Sequence, residues 1–406
     1  MPTNNEMLSL IYKLAAMSDG SCYMEPHFFR FPANPFYRNP FLKSTNYWSV
    51  IDRHSFESPR TSKELFCENN EHIDPDIVKV FGEARPPANA FLLHHAIGNN
   101  LKSNNTPVLL VHGAGHNANI WADPLQTGGP GLMHYLVANN YPVFAITFSH
   151  PHGDNCLQAE QLAAAIKQVK IITQKPQVDL VVHSKGGIPA RIYLSNINKQ
   201  WGTPYRNDVR RLLLLGVPNL GLDYSFRKPL TNYLIYTTKA NAAISWHRML
   251  LFGQVIDTKI HSFYKNSVYP GQCQLLYRWD KKYPLEILQP DCYTTYYGGQ
   301  GVLSASLGID KAIAEGGYLM ELLEDKGIDK NVAIAVLAGN KNDLTSLFTI
   351  KHGPSDGIVF TDSALHTGAL TQKGARLLAK GEVPLNHLEL ITLPMSWKWV
   401  HLQLQA

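Results

Sequence analysis

A serine hydroxyl becomes a useful nucleophile when a base can take its proton and fixed N–H donors can receive the charge that develops on its target. Ser184 stands where both conditions can be met. It follows Val178-Asp179-Leu180-Val181-Val182-His183, a β-branched and aliphatic run of strand length broken only by Asp179. It precedes Lys185-Gly186-Gly187 and then Ile188-Pro189-Ala190-Arg191-Ile192-Tyr193-Leu194, which reads as a helix. A strand, a sharp turn with Ser at its apex and a helix make a nucleophile elbow. The turn lifts the hydroxyl clear of the sheet, and the helix N-terminus offers backbone N–H groups and positive potential to an oxyanion. The usual pattern is G-x-S-x-G. Val182 takes the place of the first Gly, while Gly186 and Gly187 stand where close strand–helix packing needs small residues. The bland reading of the same residues is a buried strand ending in a Gly-capped turn.

The partners of such a Ser follow it in the order carboxylate, then His. Two carboxylates compete: Asp343, in Gly339-Asn340-Lys341-Asn342-Asp343, and Asp356, in Pro354-Ser355-Asp356-Gly357-Ile358-Val359. Asp343 also suits a helix N-cap or a turn. Of the 17 His, those that come after both carboxylates are His366, His387 and His401. His366 falls in a helix-like stretch close behind Asp356, too near in sequence to swing into place comfortably.

The elements needed to position these groups are legible on either side of Ser184. Pro107-Val108-Leu109-Leu110-Val111-His112 is a continuous apolar run, as in a strand buried on both faces of a parallel sheet, and it ends in Gly113-Ala114-Gly115-His116. That turn lies about seventy residues before Ser184, room for two βα units. Between them the pattern predicts a helix over 131–139, a strand over 141–148 and a long amphipathic helix over 156–173. Val209 to Leu215 reads as the next strand, ending in Gly216-Val217-Pro218-Asn219-Leu220-Gly221. The alternation then stops for about 110 residues, until Asn331 to Gly339 restores the sheet. The interval holds the apolar stretches 230–236 and 244–255, the Tyr- and Gly-rich 293–299, and a helix predicted over 309–324. Ahead of the core, 74–81 suits a short helix and 88–97 a strand. The segment from Tyr23 to Phe56 carries many aromatics with no period, and reads as an extended arm packed on the core.

Val182-His183-Ser184-Lys185-Gly186-Gly187 resembles the H-S-x-G-G elbow of bacterial α/β-hydrolase lipases, which tolerate a non-Gly residue two before the Ser. His112-Gly113-Ala114-Gly115, Gly216-Val217-Pro218-Asn219, Asp356-Gly357-Ile358-Val359 and Asn386-His387-Leu388 resemble, in the required order, further landmarks of the same lipases. Tyr269-Pro270-Gly271-Gln272 resembles the turn they place after the lid. The resemblance covers roughly 106–221 and 331–390. It implies an α/β-hydrolase fold, a mostly parallel central sheet flanked by helices, with a cap or lid insertion and an N-terminal extension. The implied division is an extension over 1–99, a core over 100–221 and 331–406, and a cap over 222–330. It also implies the catalytic set Ser184, Asp356 and His387, with the backbone N–H groups of Ala114 and Lys185 as the oxyanion hole.

The function so implied is hydrolysis of carboxylic esters by a serine hydrolase, a lipase or esterase acting on hydrophobic acyl esters through an acyl-enzyme. A polyhydroxyalkanoate depolymerase or thioesterase with the same triad is the nearest alternative, and a non-catalytic binding protein of the same fold a more distant one. No cofactor and no metal is required. The Ca²⁺ site common in such lipases is not carried over, because matching carboxylates are not found.

Composition fits that reading and narrows the partners to a small-molecule or lipid ester, with transient contact at a lipid interface. The chain has 406 residues, 45% hydrophobic and 17% charged, as in a globular protein with a large core. Its net charge of +5 is scattered, which argues against nucleic-acid binding. No stretch reaches the length of apolar sequence a membrane-spanning helix needs. The start, Met7 to Met17, reads as an amphipathic helix lacking the basic region of a secretion signal, so a cytoplasmic location or a signal-independent route is expected. The five Cys make no metal spacing; a Cys273–Cys292 bridge is expected only in an exported protein, and buried free thiols otherwise.

Overall fold

A computed structural model describes residues 47–57, 64–67, 70–125, 129–240, 242–344 and 352–406. The helix expected over 7–17 and the aromatic arm before residue 47 lie outside these.

Among the described residues eight strands form the central sheet. In chain order they are β1 (Trp48–Ser55), β2 (Ala90–Ala96), β3 (Val108–Val111), β4 (Val143–Phe148), β5 (Val178–His183), β6 (Val209–Leu215) and, after a long insertion, two more. The insertion contributes β7 (Arg248–Leu251), β8 (Gln254–Asp257), β9 (Gly299–Gln300) and β10 (Ser304–Ser306), which pair in a separate antiparallel sheet. The chain then returns to the main sheet with β11 (Ala333–Gly339) and β12 (Arg376–Val383). The main sheet runs β1-β2-β4-β3-β5-β6-β11-β12. From β4 to β12 every neighbouring pair is parallel, and β1 and β2 are antiparallel at one edge. The central strands are buried on both faces, which is why they read as unbroken apolar runs rather than alternating ones.

Helices cover both faces. α1 (Pro75–Phe81) starts from an N-cap at Asp74, whose side chain accepts the Asp76 N–H. α2 (Leu132–Ala138) packs on one face of the sheet with the C-terminal helix, Pro394–Gln405, around Trp121, Leu136, Trp397 and Val400. On the other face lie α3 (Asn155–Thr173) and α4 (Gly187–Ser195), packed around Leu162, Ile166, Ile188 and Ile192. Asp154 caps α3 by accepting the N–H groups of Cys156 and Leu157.

Four expectations change. Trp48–Ser55 is an edge strand rather than part of an irregular arm. Its polar, half-exposed side chains hide it, because pairing with β2 is made by the main chain. β12 and the C-terminal helix had no counterpart in the sequence reading; β12 is another edge strand, with Lys380, Gly381 and Glu382 among its residues. The helix expected over 309–324 is two, Ile309–Glu315 and Leu319–Lys326. Between them Gly317 and Tyr318 both take positive φ, which no helix accommodates. His366 lies in a loop between two short helices, Thr361–Ala364 and Gly368–Thr371. Cys273 and Cys292 are buried free thiols. Among the described residues no helix is long and apolar enough to cross a membrane.

Candidate active site

The site gathers at the carboxyl ends of β3, β5, β6, β11 and β12, where a parallel sheet presents loop residues to a common crevice. β5 ends at His183, and a single 3₁₀ turn, Ser184–Gly186, leads directly into α4. Ser184 has φ +51°. A residue with a Cβ pays on the order of 1–3 kcal/mol for that left-handed conformation, and such strain concentrates where a side chain must be held in place for a function. A Cβ on Gly186 would lie 2.3 Å from the His112 carbonyl oxygen, and one on Gly187 2.5 Å from the Val217 side chain. The small residues after the Ser are therefore what lets α4 close onto the ends of β3 and β6. Val182 is buried in the layer beneath α3 and α4, so the departure from the usual motif fills core.

The loop after β12 brings His387 to Ser184. Asn386 Oδ1 accepts the N–H groups of Leu388 and Glu389, and Glu389 returns a carboxylate to the Asn386 N–H at 2.9 Å. This reciprocal cap fixes the turn that carries His387. Its Nε2 lies 2.9 Å from Ser184 Oγ, and its Nδ1 lies 2.7 Å from Asp356 Oδ2. Asp356 is oriented in turn by the N–H groups of Ile358 and Val359, which donate to its Oδ1, and its own carbonyl accepts the His387 N–H. Gly216, with φ +55°, ends β6 directly under this pair. A Cβ there would lie 3.2 Å from Asp356 Oδ2 and 3.3 Å from His387 Nδ1.

The competing residues go elsewhere. Asp343 pairs with Lys341 and accepts from Asn386 Nδ2 at 2.9 Å, holding the loop beside His387 rather than its ring. His366 bonds Glu324, and His401 sits edge-on to Tyr135 and Tyr141. Of the expected oxyanion donors, Lys185 follows the Ser directly and Ala114 follows Gly113, which packs against it. Lys185 lies in the first helical turn, where N–H groups have no acceptor within the helix. A Cβ on Gly113 would lie 2.9 Å from Ser184 Cβ.

Two histidines that the motifs did not mark as functional shape the site. His183 donates from Nε2 to the His387 carbonyl at 3.1 Å, and the two rings lie 4.7 Å apart. Burial holds His183 well below the usual imidazole range, with the nearby His387 adding to that shift, so it stays neutral beside the ring it supports. His112 donates from Nδ1 to the Gly113 carbonyl and accepts the Phe148 N–H at Nε2, a tautomer that fixes the Gly113-Ala114 turn. Burial lowers its pKa to about 3, and that of His116, also near His387, to about 4. Both stand inside quoted motifs, the His of His183-Ser184 and of His112-Gly113, but each acts through a backbone carbonyl, so its residue type alone gives no role. Among the described residues no cluster of His, Cys, Asp and Glu could hold a metal ion.

Residues 108–290 match the model of the alpha/beta hydrolase family. No curated protein matches the sequence. Among solved structures, a Bacillus licheniformis lipase, BlEst2 in its mature form, is 18% identical and overlays 74% of this chain and 92% of its own, with a TM-score of 0.42. A Paleococcus ferrophilus monoacylglycerol lipase is 13% identical over 74% of this chain and 95% of its own, with a TM-score of 0.36. A thermostable Bacillus coagulans carboxyl esterase is 13% identical over 82% and 90%, with a TM-score of 0.38. With the sheet order, the crossover helices on both faces and the family match over its central residues, this chain has the α/β-hydrolase fold.

Proposed function

We propose that the protein is a serine hydrolase of carboxylic esters, acting on hydrophobic acyl esters as a lipase or esterase. The observation that carries this reading is the unbroken hydrogen-bonded line from Asp356 through His387 to a Ser184 held at positive φ. In the proposed reaction Ser184 Oγ attacks the ester carbonyl while His387 Nε2 takes its proton. The carbonyl oxygen, now negative, is received by the N–H groups of Ala114 and Lys185, and Asp356 stabilises the imidazolium. Collapse of the tetrahedral intermediate expels the alcohol with the proton from His387. Water, activated by the same imidazole, then releases the acid and restores the hydroxyl. This chemistry needs no group beyond the chain's own residues.

A division into an extension over 1–99, a core over 100–221 and 331–406 and a cap over 222–330 belongs to the same proposal. The small antiparallel sheet of the insertion supports a hydrophobic substrate, since Leu250, Phe252 and Val255 of the β7–β8 hairpin and Val302 are exposed. An exposed apolar cluster on a cap suits contact with a lipid or acyl surface.

The test is a chain-length series of p-nitrophenyl esters with the wild type and Ser184→Ala. Turnover that Ser184→Ala abolishes supports the proposal, and a preference for longer acyl chains supports the hydrophobic ester. If no ester is turned over in a Ser184-dependent way, the reading fails; activity on acyl thioesters or polyesters alone would move the assignment to those substrates.

A further inference from the structure

Lys185 follows the nucleophile, yet it is buried to 2% exposure. It runs from the elbow to the first turns of α3, where Nζ donates to Gln158 Oε1 at 2.5 Å. Gln158 is held from its other end, donating to the His150 carbonyl at 2.8 Å. The short stretch 64–67 closes the same space from outside. The buried Glu64 accepts the Asp154 N–H at 2.6 Å, just where Asp154 caps α3. The Leu65 carbonyl accepts from His150 Nε2, and the Phe66 ring lies 4.1 Å from that imidazole. Two glycines make room for the charged side chains. A Cβ on Gly153 would lie 2.9 Å from Glu64 Oε2, and one on Gly271 2.6 Å from Lys185 Cε.

Burial and tethering of a long, flexible lysine cost side-chain entropy and hydration. The Nζ is held by the neutral Gln158, and the carboxylates of Glu64 and Asp154 favour its charge without forming an ion pair with it. Burial still takes Lys185 down to about 7 and Glu64 up to about 8, each opposing the other's shift. A main-chain donor is only as well placed as its residue, and a misplacement of about 1 Å can cost a reaction on the order of 100-fold. We propose that Glu64, Gln158 and Lys185 form an anchor that fixes the Lys185 backbone N–H, making Glu64 and Lys185 positioning residues for the oxyanion formed at Ser184. The inference rests on the serine-hydrolase reading. It makes the stretch 64–67, far upstream of the elbow, part of the machinery of the site.

The experiment compares Glu64→Ala, Glu64→Gln and Lys185→Met with wild type on the best p-nitrophenyl ester, and measures inhibition by a trifluoromethyl ketone, which adds to the Ser as a tetrahedral oxyanion. Glu64→Ala and Lys185→Met are expected to lower kcat by on the order of 10- to 100-fold, below the full loss of an oxyanion donor, with KM within about two-fold. Ketone affinity should fall in proportion to kcat/KM. Glu64→Gln keeps an acceptor for the Asp154 N–H and should recover to within about five-fold of wild type. A folded Lys185→Met with wild-type kcat and ketone affinity overturns the anchor, as does any variant that changes KM alone. If circular dichroism finds Glu64→Ala unfolded, Lys185→Met and Glu64→Gln decide by the same criteria. Wild-type protein lacking Ser184-dependent turnover would instead sink the hydrolase reading, a result read from Ser184→Ala without any anchor variant.

Discussion

At the scale of single residues the proposed mechanism separates groups that would touch the reacting atoms from groups that would hold them. Asp356 and Asp343 make the contrast sharp. One accepts the His387 Nδ1 proton, and the other holds Asn386 in the adjacent turn. On the proposed mechanism Asp356→Asn removes the charge that stabilises the imidazolium and favours the wrong tautomer, so kcat should fall by on the order of 10⁴. Asp343→Ala removes an exposed ion pair with Lys341 and one partly exposed hydrogen bond from a loop that Glu389 also caps, and should stay within about three-fold of wild type. Kinetics of the two variants on one ester would check the ranking, and the reverse order would reassign the acid. His183 belongs with the holders. Its neutral ring supports the carbonyl of His387, which becomes cationic in the proposed mechanism, and a protonated imidazole there would oppose that charge.

Among elements, β5 and β6 carry a buried ion pair at the end of the sheet away from the site. Asp179, fully buried on β5, receives both Arg210 Nε, at 2.9 Å, and Arg210 Nη2 from β6. Desolvation raises the Asp179 pKa against the opposing pull of the arginine. Removing one partner leaves an uncompensated charge inside the sheet, so Arg210→Ala should lower stability by about 3 kcal/mol, toward the smaller end because that guanidinium is partly exposed. The paired change Asp179→Leu with Arg210→Met should recover most of the loss. Urea unfolding of the three proteins measures both, and a neutral Arg210→Ala would show that the pair contributes nothing. At the other end of β6 the constraint is steric. Gly216→Ala would meet Leu390 at 2.8 Å and crowd the Asp356–His387 pair, at a φ that suits Gly. It should lower kcat at least about ten-fold, through displacement of about an ångström at the His. A variant with wild-type kcat would mean that the loop after β12 can shift without consequence.

For the molecule as a whole, histidine burial sets the response to acid. Burial lowers His72 and His116 to about 4, and His94, His112 and His150 to about 3. Each stays neutral in the folded protein while the unfolded chain binds a proton below its ordinary value of 6.5. The unfolded state then holds more protons, so stability falls as pH drops through the window from about 6.5 to 4, by about 1.4 kcal/mol per pH unit for each such residue. Glu64, Asp179 and Asp223 work in the opposite sense, since a raised carboxyl pKa favours folding as pH falls, but they are three groups against these five histidines and His183. The urea midpoint should therefore decrease steeply between pH 6.5 and 5. A flat midpoint across that range would mean that these rings are hydrated or paired in the folded state.

The sequence by itself determined the elbow, the parallel core and the order of its landmarks, because these are written in short-range chemistry. Buried parallel strands must be continuously apolar, a tight strand-to-helix turn must be built from small residues, and Asn386 caps the turn of its own neighbour His387. The antiparallel edge strand β1, the strand β12 and the small sheet of the insertion were not legible, since edge pairing is made by main chain and leaves no apolar alternation to read. The resemblance of Asp356-Gly357-Ile358-Val359 already favoured Asp356 over Asp343; the tertiary structure adds that Asp356 lies on the His387 ring while the loop turns Asp343 toward Lys341 and Asn386. Only the tertiary structure brought Glu64 to the Asp154 cap, Lys185 to Gln158 and His183 to the carbonyl of His387. Those contacts join residues far apart in the chain, and their chemistry exists only once the sheet has placed them side by side.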